Sequence, residues 1–368
     1  ALTTRQMAAL TTEQLAAMDT QDIAILKTAQ VSALSSAALG AMSSAQLGVL
    51  STAVIAALTT SQVSSLSAAQ LDALTTKQLT ALTTRQLAVL TSDQVTALTT
   101  EDIASLKATQ IAAINTNTLG AMTTAQIEAL TTAQIIALNT GQIGALSSVQ
   151  VAALETTDLA VLKSGQIGAL TTDSIAALTT LQISALTSTQ VASLKTTQIA
   201  SISSDQVTTI ETRDIQALKT LQLAALTTDA FSALTTAQIQ ALTSAQFASL
   251  DTAHIGALTS VQLAAIQTQD IAALKSWQVS VLSTDAISGL TTLQFASFNT
   301  GAVQALTTEQ LGALDTAHIA ALTTKQITAL ATAQIQALNT MQIAALETRD
   351  IAVLRSAQVA AITTDGIA

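Results

Sequence analysis

Two histidines are the only imidazoles in this chain, and each stands in the same short phrase, Asp-Thr-Ala-His-Ile, around His254 and His318. An imidazole beside a carboxylate could move protons or hold a metal. The two are eight repeat units apart, however, and each takes the place of a glutamine that recurs once per eight-residue unit. They read as structural hydrogen-bonding substitutes for that glutamine. Carboxylates enter the same position at Asp22, Asp102, Asp158, Asp214, Asp270 and Asp350, successively ten, seven, seven, seven and ten units apart. A cation follows each five residues later: Lys27, Lys107, Lys163, Lys219, Lys275 and Arg355. Two units after each Asp the glutamine is missing again, at Ala38, Thr118, Ser174, Ala230, Ala286 and Gly366. These coincidences mark a duplicated module of seven, sometimes ten, eight-residue units. An acid often precedes the cation by one unit: Asp19 and Lys27, Glu155 and Lys163, Glu211 and Lys219, Glu347 and Arg355. Such pairs make sense if equivalent positions of successive units are spatial neighbours; a neutral by-product of duplication explains them equally well.

No constellation for chemistry is assembled from these residues. With no cysteine, there is no thiolate nucleophile, Cys-metal site or disulfide. Calcium-loop, phosphate-loop and nucleophile-elbow motifs are missing, and no serine stands near both a histidine and a distinctive third partner. The expectation is a protein that is not an enzyme, with no catalytic, metal-ligating or cofactor-binding residues and no cofactor. Trp277 is expected to be an exposed substitution or a packing contact, and Phe231, Phe247, Phe295 and Phe298 to be core.

What positions all of these side chains is an octad repeated without insertion or deletion. From Leu2 in steps of eight, every position is Leu, Ile, Met or Phe through all 46 repeats, and the column starting at Met7 is apolar throughout. Taken from the first unit, the columns are Leu2, Thr3, Thr4, Arg5, Gln6, Met7, Ala8 and Ala9. The Thr4 column is Thr or Ser except at Ala68 and Ala108; the Thr3 column is mostly Thr, Ser, Asn or Asp, but admits Lys27, Glu155, Gln267 and Ala331. The Arg5 column accepts almost anything, so it is expected to face solvent. The small Ala9 column suggests close approach between coils. Residues 1–368 therefore form one uninterrupted array, expected to be a segment of a longer array or polymer, because the chain opens and ends inside a repeat.

One continuous helix is excluded, since eight residues drift the apolar stripe by roughly 80° per octad. A helix that restarts each octad fits. Thr-Thr-x-Gln is a capping-box pattern, and Ile-x-Ala-Leu sets two apolar side chains on one face. The expected fold is an all-α solenoid of helices roughly five to seven residues long, with corners made by hydroxyl-to-backbone bonds because Pro is absent and Gly scarce. A β-solenoid is the alternative, favoured by Thr, Ile and Val but opposed by the abundant Ala, Leu and Gln.

Composition limits partners. Charged residues are 10% of the chain, the formal charge is −10, and the 13 Lys and Arg are scattered, which excludes a nucleic-acid binder. Mean hydropathy is +0.51, yet Thr, Ser or Gln interrupts every octad, so no membrane span is expected. The phrase Leu-Thr-Thr-x-Gln-Ile-x-Ala-Leu, as at Leu130 to Leu138 and Leu322 to Leu330, resembles the giant octapeptide-repeat, adhesin-like surface proteins of Gram-negative bacteria. That resemblance implies export without a cleaved signal and display outside the cell or on its surface. The function expected is a structural one: an extracellular filament, sheath or adhesin stalk whose partner is itself, with surface or matrix contacts. The alternative is a binding solenoid with a Thr-rich face, ordering ice or water or acting as a protein scaffold.

Overall fold

The computed structural model describes residues 2–362; Gly366 and the final apolar position Ile367 lie outside them. Two compact units make up the chain, Ala1–Leu186 and Thr187–Ala368. Both are built by the same rule, and among the described residues neither contains a strand. The chain is an all-α solenoid with forty-five short helices among the described residues, one per octad, and the β alternative is set aside.

Each helix has four to six residues, at the short end of what the repeat suggests. Thr132–Ala137 shows how one is made. The N-cap Thr131 is extended (φ −73°, ψ 154°). Its hydroxyl accepts the Gln134 amide at 3.4 Å, while the Gln134 side-chain oxygen accepts the Thr131 amide at 2.7 Å. The α-type bond from Ile135 N–H to Thr131 C=O opens the turn, and the tighter bond from Leu138 N–H to Ile135 C=O closes it. A helix this short is unstable alone, so both ends must be held from outside.

The corners need neither Gly nor Pro. The Leu-column residue and the N-cap after it are both extended, as at Leu58 (φ −56°, ψ 140°) and Thr59 (φ −72°, ψ 158°). Among the described residues no backbone turns through positive φ.

Three octads make one coil. Within each unit a helix packs on the third helix before and the third after it, for example Ser148–Ala152 on Thr172–Ala177. Stacked neighbours are therefore three octads apart in sequence, and an octad's immediate successor lies on the next side. The suggested i, i+8 neighbours are thus not neighbours. Among the described residues no ion pair joins Asp19 to Lys27, Glu155 to Lys163, Glu211 to Lys219 or Glu347 to Arg355. Glu211 and Glu347 instead pair with Arg213 (2.6 Å) and Arg349 (2.8 Å) two residues on; exposed pairs of this kind contribute about 0–1 kcal/mol.

The core lies inside the coils and consists of the two apolar columns. Ile135 and Leu138 are buried, as are their counterparts through most of each unit, including all four Phe. Burying one such side chain contributes roughly 1.5–3 kcal/mol. Close approach between coils involves the Ala9 column, where a Cβ on Gly289 would stand 2.9 Å from the Ser260 Cβ, and the Ala8 column as well. The Ala8-column Cβ faces an Ala9-column carbonyl in the next coil: a Cβ on Gly144 would stand 3.0 Å from the Ala169 oxygen, and Ser32 donates to the Ala57 carbonyl at 2.8 Å.

The glutamine does more than cap its own helix. Its amide group reaches back to the preceding coil, where Gln134 Nε2 donates to the carbonyls of Ile103 (2.8 Å) and Leu106 (2.7 Å). Those oxygens belong to the end of an earlier helix and to its corner. One buried side chain thus caps the start of one helix and the end of another in the coil before.

Replacing Gln150 by Ala removes the donors to the Gly120 and Met122 carbonyls and the acceptor of the Ser147 amide. It should cost about 1–3 kcal/mol, seen as a lower urea midpoint and faster amide exchange across Ser148–Ala152. Gln150→Glu should be worse at pH 7 than at pH 4, because an ionised carboxylate cannot donate to the Met122 carbonyl. For the glycines, Gly144→Ala should lower stability by about 1 kcal/mol through the close Ala169 oxygen. Gly312→Ala, where a Cβ meets nothing within 4 Å, should raise it by about 0.5 kcal/mol; thermal melts of the two variants separate these outcomes.

Candidate functional site

The Gln6 column is where the chain's chemistry-bearing substitutions collect, and each has a local structural consequence. The constraint is simple: the residue must accept the N-cap amide of its own helix and donate to a carbonyl one coil back.

Asparagine at the N-cap takes over the donor task when the glutamine is lost, and still accepts the amide at the third helical position. Asn299 Oδ1 accepts the Ala302 amide at 2.9 Å, and its Nδ2 donates to the Ala272 and Leu274 carbonyls at 3.2 and 3.1 Å. Asn115 serves Thr118 in the same way, with the Thr118 hydroxyl donating to the Leu90 carbonyl at 2.8 Å.

Histidine keeps the inter-coil bond and changes the cap. His254 Nε2 lies 2.8 Å from the Leu226 carbonyl oxygen and Nδ1 lies 2.7 Å from Asp251 Oδ1, which also accepts the His254 backbone amide at 3.0 Å. His318 repeats this with Leu290 at 2.7 Å and Asp315 at 2.7 Å. Both rings are buried, whereas both aspartates are more than half exposed. Phe231 and Phe295, one coil back, meet the imidazoles edge-on at 5.1 and 5.5 Å between centroids. The hydrogen bond from each histidine's backbone amide, reinforced by its side chain, holds the Asp251 and Asp315 carboxyls below the usual range.

Aspartate has no donor, and it takes the N-cap amide at Asp102, from Thr99 at 3.2 Å, but not in the Asp158, Asp214 and Asp270 helices. Asp102 turns to its own N-cap, accepting the Thr99 hydroxyl at 2.7 Å. Asp158 accepts the Thr132 hydroxyl of the preceding coil at 2.9 Å, and Asp214 and Asp270 take the corresponding hydroxyls of Ser188 and Ser244. Asp350 is fully buried and neither carboxylate oxygen has a hydrogen-bond partner; the Arg349 guanidinium stands 3.8 Å away. Asp22 is exposed. Burial pushes the Asp158 carboxyl above its ordinary range, against the Thr132 hydroxyl bond that lowers it, with nearby Glu155 adding to the rise.

These carboxylates are not brought together. Within unit 1, Asp22 to Asp102 spans three coils plus one octad, and Asp102 to Asp158 two coils plus one octad, so the three lie on three different sides. Asp214, Asp270 and Asp350 are distributed likewise in unit 2. No ion pair joins any of them to the cation five residues on, among the described residues. The cations occupy N-cap positions, where the following glutamine still accepts the backbone amide, as Gln110 does from Lys107 at 2.7 Å. Among the described residues no group of three or more His, Asp or Glu could hold a metal ion, and no helix is long and apolar enough to cross a membrane.

The Arg5 column faces outward as its variability suggests, and it carries many of the exposed large apolar residues: Val149, Leu181, Leu221, Val261, Leu293 and Met341, with half-exposed Trp277. The Lys275 ammonium sits 5.6 Å from the Trp277 ring. In unit 2, Leu221, Leu293 and Met341 share one side, three coils and then two coils apart. The intervening residues of that column, Ala245, Gln269 and Ala317, carry no charge. The sequence reading missed this stripe, because it becomes visible only once every third octad is aligned.

The fold and its polar columns define the protein class: an octad-repeat α-solenoid whose coils are cross-capped by side-chain amides. The profile of the ALTTAQ repeat family matches in overlapping segments covering residues 15–188, 207–244 and 263–348, and the chain belongs to that family. Comparison with curated proteins finds no match.

The sign of one charge effect is testable here. A carboxyl whose folded form gives up its proton late destabilises the fold at pH values above that point and ceases to do so in acid. Asp158→Asn should therefore raise the melting temperature at pH 7, with the gain shrinking as pH falls into the carboxylate range. A gain independent of pH would show that the charge is not its source.

Proposed function

We propose that this chain is a non-enzymatic structural protein: a segment of an extracellular or cell-surface filament, sheath or adhesin stalk that associates with copies of itself. The observation carrying this reading is that the polar side chains buried in both units are engaged chiefly in holding one coil on the next. Gln134 and its equivalents, the two histidines, and Asp158, Asp214 and Asp270 all face main-chain or hydroxyl groups of an adjacent coil. Side chains committed in this way maintain a stack, and among the described residues no group of three or more His, Asp or Glu is placed to hold a metal ion.

Lateral self-association is supported by the uncharged stripe of Leu221, Leu293 and Met341 and by the chain's sparse charge, which opposes side-by-side packing only weakly. The adhesin-like, Gram-negative surface assignment rests on resemblance of the Leu-Thr-Thr-x-Gln-Ile phrase.

Purified full-length chain, viewed by cryo-electron microscopy, should form fibres with a strong axial repeat of about 10 Å, the spacing of helix on helix. The triple variant Leu221→Ser, Leu293→Ser, Met341→Ser should abolish lateral bundling while leaving the melting temperature nearly unchanged. Compact, monodisperse particles at all concentrations would overturn the filament reading, and bundling indifferent to the triple variant would remove the stripe from it.

A further inference from the structure

We infer that His254 and His318 are held as imidazolium cations and work as proton-dependent locks between successive coils of unit 2. The argument starts from what each ring nitrogen faces. A main-chain carbonyl oxygen only accepts, and an ionised carboxylate only accepts. His254 sets Nε2 at 2.8 Å from the first and Nδ1 at 2.7 Å from the second; His318 does the same at 2.7 Å and 2.7 Å. A neutral imidazole has one N–H, so it would leave a lone pair pressed against an oxygen at one of these contacts. Two N–H groups satisfy both. The proton does not rest on the aspartate, because the same Oδ1 accepts the backbone amide at the helix start, which favours the ionised carboxyl.

The sequence around the rings follows from the same requirement. Glutamine accepts the N-cap amide with its oxygen and donates with its nitrogen. An imidazolium has two donors and no acceptor, so the N-cap must supply an acceptor strong enough to hold a cation. Both His octads carry Asp in the Thr3 column, and elsewhere that column has Asp only at Asp19.

The surroundings leave the aspartates as the partners that matter. The His254 helix, Thr252–Gly256, packs between Thr228–Ser232, which bears the exposed Asp229, and Ser276–Val279, whose N-cap is the exposed Lys275. The His318 helix, Thr316–Ala320, packs between Thr292–Ala296 and Thr340–Ala344, and neither these helices nor their N-caps Thr291 and Asn339 bear a titratable side chain. Phe231 and Phe295 close the rings from the preceding coil.

The pH window follows. The lock holds while both ring nitrogens carry protons and is lost in alkali, when one of them leaves. In acid it is lost again when the two aspartates, held low, finally protonate. Once one proton leaves, the remaining one is held at Nδ1 against the charged carboxylate, so each ring loses its tie to the carbonyl one coil back, while the glutamine ties do not titrate.

The test uses the full chain, whose two histidines give two ring systems. Long-range 15N–1H spectra at pH 7 should place both nitrogens of both rings at imidazolium shifts. One deprotonated nitrogen in each ring would overturn the inference. In parallel, the variant D251T/H254Q/D315T/H318Q restores an octad, Leu-Thr-Thr-Ala-Gln-Ile, already present at Leu130 to Ile135. Between pH 7 and 9.5 the wild-type melting temperature should fall several degrees further than that of the variant; parallel profiles would overturn the lock.

Discussion

The glutamine amide is the constraint on which each unit rests. A helix of four to six residues leaves nearly all its terminal amides and carbonyls without partners of its own. In a buried array those groups cannot be left to water, so each coil must supply the next with donors and acceptors. The primary amide is the only common uncharged side-chain group offering both at once in a fixed planar fork. Glutamine has the length to sit at the third helical position, turn its oxygen back to the N-cap, and extend its nitrogen to a carbonyl one coil away. The apolar columns supply most of the burial. The amide ties most helix starts to the coil before, although helices such as Thr212–Ala217 and Thr228–Ser232 start without it.

This explains how the column tolerates change. Asparagine at the N-cap relocates the amide and frees the glutamine position for Thr118 or Ala302. Histidine preserves the donor and passes the acceptor to an aspartate. Aspartate abandons the donor and, at Asp158, Asp214 and Asp270, is compensated by a Ser or Thr hydroxyl from the coil before. Asp350, which takes no such bond although Thr324 stands at the corresponding position, is a local cost. The substitutions are different solutions of one local hydrogen-bonding problem, and none of them gathers into a site.

What the sequence made legible was whatever depends on contacts within one octad. Thr-Thr-x-Gln reads directly as a capping box, the Met7 and Leu2 columns as core, and the Arg5 column as surface. The second duty of Gln134 was not legible, nor was the position of Glu155 relative to Lys163. Those depend on how many octads close a coil, and an octad repeated identically on every side carries no mark of that number. Expecting i, i+8 neighbours assigned one octad to each stacked layer, where three are needed. The Leu221, Leu293 and Met341 stripe was hidden for the same reason. The histidines could have been read further: an Asp three residues before each imidazole was visible, and its meaning followed once the ring was seen to face a carbonyl.

The corner of two extended residues, free of glycine and proline, has an evolutionary consequence. Because all sides of the coil are made by the same eight residues, a gene for such an array can lengthen or shorten by a single unit through slippage or unequal exchange. The interior then meets an equivalent partner at every layer. Most stacked-coil architectures must gain or lose a whole turn to stay in phase. Here the reach of the molecule can be adjusted in the smallest step its chemistry defines, with no seam left where the change occurred.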